Sequence, residues 1–118
     1  MRRAAALVAC LLLPLTAACG GDGGGTDSDE VVTVEITVEG DTVSPNGDRI
    51  QVGVGQPVDL VVTADAPGVI GVHVDGPEQT YDYDAGTNEP IQLQFDRPGV
   101  VPVERHSPDL TIVSLQVQ

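Results

Sequence analysis

The chain predicts an all-β fold, a sandwich of about seven or eight short strands, on three observations. From residue 31 onward, apolar side chains recur at every second position. Pro- and Gly-bearing turns separate these runs at regular intervals. No segment beyond residue 19 carries the 3.6-residue apolar period of an amphipathic helix.

The first residues are of a different kind. Arg2 and Arg3 precede an apolar stretch, Ala4 to Leu15, and the small residues Thr16, Ala17 and Ala18 lead into Cys19. This pattern resembles a bacterial lipoprotein signal. The apolar stretch is too short to cross a bilayer. The resemblance implies cleavage before Cys19 and a diacylglycerol on its sulfur. Residues 1–18 are then a signal peptide, and the mature chain is tied by lipid to the outer face of the cytoplasmic membrane. Residues 19–30 follow as the lipidated cysteine and a Gly/Asp tether, with no apolar residue after Cys19 to join a core. A flexible coil of that length holds a domain about 18 Å from its anchor.

Residues 31–118 form one domain. Val32, Val34, Ile36 and Val38 alternate with Thr33, Glu35 and Thr37, as a strand with one buried face requires. Ile50, Val52 and Val54 repeat the pattern, as do Val58, Leu60, Val62 and Ala64. Ile70, Val72 and Val74 predict a strand that runs on through Asp75. Ile91, Leu93 and Phe95 follow, then Val101 and Val103. The closing run, Leu110 to Val117, shifts phase at Val113-Ser114, which predicts a bulge. Pro45-Asn46-Gly47, Gly55-Gln56-Pro57, Ala66-Pro67-Gly68, Asp75-Gly76-Pro77 and Arg97-Pro98-Gly99 supply the turns.

Composition restricts function. The chain has 18 acidic residues and a formal charge of −13. Removing Arg2 and Arg3 leaves Arg49, Arg97 and Arg105 as the basic residues, with no lysine. Nucleic acid is therefore not an expected partner, since phosphate binding needs clustered cations. Direct adhesion to anionic headgroups is disfavoured too, so the lipid must carry the membrane attachment. Cys10 and Cys19 are the two cysteines, and both precede the domain. The domain thus has no disulfide, no thiolate ligand and no thiol nucleophile. Its serines lie in no nucleophile elbow, and no enzymatic activity is expected.

The blocks VEGDTVSPNGDRIQVGVGQPVDLVVTAD, GVHVDG and IQLQFDRPGVVPVERH, with the closing apolar strand, resemble the cupredoxin-like domain of small exported bacterial lipoproteins. The resemblance implies a Greek-key β-sandwich. In its copper-binding members it would also imply a His–Cys–His set with an axial Met. His73 stands where the first histidine is expected. The cysteine position, counted from Gly99, falls at Arg105, and a guanidinium offers no lone pair. Met1 is the only methionine. A blue-copper site and its electron transfer are excluded on these grounds.

Two readings of the remaining residues stand side by side. In the first, the domain is a non-catalytic binding or accessory module serving another envelope protein. His73 and His106 are then surface residues paired with Asp75 or Glu104 by charge. In the second, His73 and Asp75 on one strand, and Glu104 and His106 on another, hold Cu(II) or another divalent ion. Imidazole and carboxylate suit Cu(II) and Zn(II), so copper is the expected cofactor of this second reading and no cofactor is expected in the first.

Overall fold

The structure, a computed structural model, describes residues 29–118. The signal, Cys19 and the first part of the tether lie outside the described residues. The strands are β1 (Val32–Glu39), β2 (Thr42–Ser44), β3 (Asp48–Val52), β4 (Val58–Ala64), β5 (Gly68–Val72), β6 (Gln79–Tyr83), β7 (Gly86–Thr87), β8 (Ile91–Leu93), β9 (Gly99–Arg105) and β10 (Leu110–Val117). Among the described residues no helix is long and apolar enough to cross a membrane.

Two mixed sheets face each other. One has the order β2-β1-β4-β7, with β8 also paired to β4; the other has the order β3-β10-β9-β5-β6. The β1–β4 and β3–β10 pairs are parallel, and both join strands distant in sequence. Apolar side chains enter the interior from each sheet. Ile36, Leu60 and Val62 come from one, and Ile70, Val72, Val103, Ile112 and Leu115 from the other, all at 1% exposure or less. Each such side chain contributes roughly 1.5–3 kcal/mol relative to exposure. The β-branched majority suits a pleated surface, because χ1 is already restricted there.

Ten strands form among the described residues, rather than seven or eight. The additions are short pieces whose patterns are weak: β2 buries only Val43, β6 only Tyr83, and β7 no side chain. Hydrogen bonds to strands already in place define them. Two boundaries also move. The ladder between β5 and β9 stops at Val72↔Val103. The His73 amide still donates to Pro102 O, at 3.0 Å, but Pro102 has no N–H to return the bond. His73, Val74 and Asp75 therefore leave the strand expected to contain them. The bulge in β10 falls between Thr111 and Val113, earlier than the phase shift suggested. It lets both Ile112 and Val113 reach full burial.

The one buried polar residue among those described is Gln56, at 1% exposure. Its Oε1 accepts from the Gly53 amide at 2.8 Å, and its Nε2 donates to Glu30 O at 2.9 Å. This satisfies the amide and fastens the segment ahead of β1 to the body of the domain.

Candidate functional site

Strand β5 lies beside β9 with Ile70 opposite Arg105, Gly71 opposite Glu104 and Val72 opposite Val103. Ile70, Val72 and Val103 point into the core, at 0% exposure. Alternation then turns Gly71 and Glu104 to the outer face of the sheet. Just past the two strand ends, His73 is fixed by its bond to Pro102 O, and His106 by a bond from its amide to Val69 O at 3.1 Å. Glu104 thus sits beside Gly71, with His73 and His106 one row to either side.

Gly71 is the floor of this group. A Cβ built there would overlap the Glu78 carboxylate and lie 2.6 Å from His106 Nε2. The bare backbone leaves room for Glu78, immediately before β6, to fold across it. The side chains then meet. His73 Nε2 is 2.9 Å from Glu104 Oε2 and 3.4 Å from Glu78 Oε1. His106 Nε2 is hydrogen-bonded to that same Glu78 oxygen. The four side chains are 29–41% exposed, so the cluster is open to solvent at one side.

His106 has a second partner. Its Nδ1 lies 2.9 Å from Asp109 Oδ1. The hydrogen bond to Asp109, followed by that to Glu78, raises the His106 pKa above the ordinary 6.5. The hydrogen bond from His106 correspondingly holds Asp109 below the ordinary 3.8. Both ring nitrogens face carboxylates, so both donate in the protonated ring.

Of the four residues expected from sequence, His73, Glu104 and His106 come together and Asp75 does not. Beyond the end of β5 it is exposed and, among the described residues, pairs with neither histidine. Instead it lines a depression of about 280 Å³ with Val74, Gln79, Tyr81 and Phe95. The carboxylate that takes its place is Glu78. One signal for it was present: Gly71, two residues before His73, marks a bare spot on the outward face.

Among the described residues no group of three or more His, Cys, Asp or Glu side chains is arranged so that it could hold a metal ion; His73 pairs with Glu104 and Glu78, and His106 with Glu78. The donor types alone, imidazole and carboxylate, are those that Cu(II) and Zn(II) take.

Arg105 lies on the opposite face. It shares a row with Tyr81, Ile70 and Leu110 across four strands. Its Nε and Nη1 are buried and have no hydrogen-bond partner among the described residues. A thiolate at this position would stand across the sheet from the two imidazoles.

No family model matches the chain, and no curated protein matches it in sequence. Solved structures do. Reduced auracyanin from the photosynthetic bacterium Roseiflexus castenholzii has a TM-score of 0.51 and 15% identity, over 74% of this chain and 97% of that one. The fold is cupredoxin-like. A multi-copper oxidase from Pediococcus acidilactici has a TM-score of 0.51 and 13% identity, over 93% of this chain and 30% of that one. A heme-copper terminal oxidase dimer has a TM-score of 0.49 and 22% identity, over 74% of this chain and 65% of that one. The chain spans less than two thirds of either oxidase chain, and these likenesses are likenesses of fold.

Proposed function

We propose that this cupredoxin-like domain is a non-catalytic, lipid-anchored module of the cell envelope that holds a divalent cation, Cu(II) foremost. Cys19 carries the lipid, and the tether presents the domain to other envelope proteins, which it serves as an accessory. The observation that carries the cation reading is the convergence of His73 Nε2 and His106 Nε2 on one oxygen of Glu78, with Glu104 Oε2 at 2.9 Å from His73. Two imidazoles and two carboxylates would supply an N/O environment of the type 2 kind. When bound, the ion supplies a positive centre; the chain's own groups orient it and balance its charge. The acidic surface favours the approach of cations over anions. Electron transfer through a type 1 centre is no part of this reading, because the domain sequence contains neither Cys nor Met.

The test is a calorimetric titration of residues 29–118 with Cu(II), accompanied by EPR and repeated on His73→Ala/His106→Ala. One equivalent with a type 2 spectrum, lost in the double variant, is the expected result. Binding that ignores the double substitution, or no stoichiometric binding at micromolar metal, overturns the cation reading. The domain would then be a scaffold for a protein partner alone.

A further inference from the structure

Strand β9 is paired along its whole length on one side and along less than half of it on the other. Toward β10 its ladder runs from Leu110↔Arg105 to Val117↔Gly99. Toward β5 it stops at Val72↔Val103, so Gly99–Pro102 have no strand beside them there. Pro102 O accepts from the His73 amide, which shows that the backbone of Pro102 faces the β5 side. In an antiparallel ladder alternate residues share a side. The amide and carbonyl of Val100 therefore face the gap as well, and among the described residues no backbone group meets them there. Val100 is also the most exposed of the large apolar side chains described, at 62%. The depression of about 280 Å³ opens beside it. Leu93, Phe95 and Val101, all buried, form its floor, and the exposed Asp75, Asp96 and Arg97 its rim. A bare backbone edge next to an apolar recess is what an added strand uses. Main-chain hydrogen bonds hold such a strand, and every second side chain enters the recess.

Charge defines the occupant. Arg97 is the one cation among the lining residues, and its Nε already lies 3.8 Å from Asp96 Oδ1. The chain as a whole carries a formal charge of −13. Its own tether, GGDGGGTDSDE, is acidic and has no apolar side chain to fill the recess. A second copy brings the same negative charge, and anionic headgroups are repelled in the same way. We infer that an extended, cationic segment of another protein adds to the sheet along Gly99–Val101, in the place beside β9 that β5 leaves. Its inward side chains are apolar and lie next to Val101 and Phe95. Its Lys or Arg side chains meet Asp75 and Asp96. This docking edge rests on the accessory part of the reading given above and is independent of its cation part.

The probes are a hexapeptide alternating Lys and Val, acetylated and amidated at its ends, and its counterpart with Glu for Lys. Both are titrated into the full chain, and amide exchange is followed by NMR. The Lys peptide should bind one to one, at least about tenfold more tightly than the Glu peptide. The Val100 amide should exchange freely in the chain alone and slow by about tenfold or more in the complex. Val100→Pro removes that amide and should lose the binding. Its melting midpoint should stay within a few degrees of wild type, because proline is tolerated where the N–H faces away from the ladder, as at Pro102. Asp75→Lys/Asp96→Lys should reverse the preference between the two peptides. If Val100→Pro loses its fold, the wild-type exchange and the charge-reversed variant decide. A Val100 amide protected before peptide is added overturns the inference. So do equal binding of the two peptides and wild-type binding by a folded Val100→Pro. Cross-linking of the anchored chain in its own membrane separates this edge from the accessory role. Cross-links to another protein that persist at wild-type yield in Val100→Pro overturn the edge and leave the role standing. Absence of both peptide binding and cross-links overturns the two together.

Discussion

His106 Nε2 lies over the bare backbone of Gly71, 2.6 Å from where a Cβ on that residue would stand. The glycine is required for space, on a strand with ordinary extended geometry. Gly71→Ala should therefore leave the sandwich folded while pushing Glu78 and His106 apart. We expect Cu(II) affinity to fall by at least about tenfold, comparable to the loss of a supporting residue at a metal site. Calorimetry measures it, and a circular dichroism melt within a few degrees of wild type shows that the fold has survived.

Glu78 and Asp75 give a direct comparison. Glu78 touches both imidazoles, and Asp75 lies over the neighbouring depression. Glu78→Gln should weaken Cu(II) binding by about tenfold or more. Asp75→Asn should leave it unchanged within twofold. The reverse order in a paired titration would return Asp75 to the site.

The pH dependence follows from the His106–Asp109 pair. The folded pKa of His106 is raised, so its contribution to stability is complete below the ordinary value of 6.5 and fades as pH rises through the raised folded value. Asp109 is depressed, so its contribution is present above its ordinary 3.8 and fades as pH falls through the depressed folded value. An NMR titration should place the His106 midpoint above 6.5, and Asp109→Asn should lower it. Metal uptake requires Nε2 to be unprotonated, so Cu(II) affinity should rise with pH across the same midpoint.

Arg105 buries Nε and Nη1 without a partner among the described residues. Unsatisfied buried donors of this kind cost about 1–3 kcal/mol, while the aliphatic stem covers the end of the core. Arg105→Met keeps the stem and removes the donors. Urea unfolding should show equal or greater stability, by up to about 1 kcal/mol, and the variant should bind Cu(II) as the wild type does. A loss of more than 1 kcal/mol would mean that the guanidinium has a partner in solution.

Leu60 is fully buried at the centre of β4. Leu60→Ala should cost about 2–5 kcal/mol, read as a shift in the urea midpoint at constant slope.

The long strands were legible because each buries one face. The alternation in Val32–Val38 and Val58–Ala64 is the burial pattern itself, written in residue types. Strands β2, β6 and β7 were not legible as such, because hydrogen bonds to neighbours, rather than buried side chains, hold them in place. At the site, His73, Glu104 and His106 could be read from strand alternation. Asp75 could not be placed correctly, because the strand ends where Pro102 has no amide to offer. Glu78 was hidden for a related reason: it approaches from a loop, and its position depends on an absent side chain at Gly71.

The parallel pairing of β1 with β4 runs from Val32↔Val58 to Val38↔Ala64. The polypeptide enters the domain directly at the start of β1. A pull applied to Val32 along the axis of β1 would load the whole ladder in shear, instead of opening it one bond at a time, and its seven registered pairs would share the force.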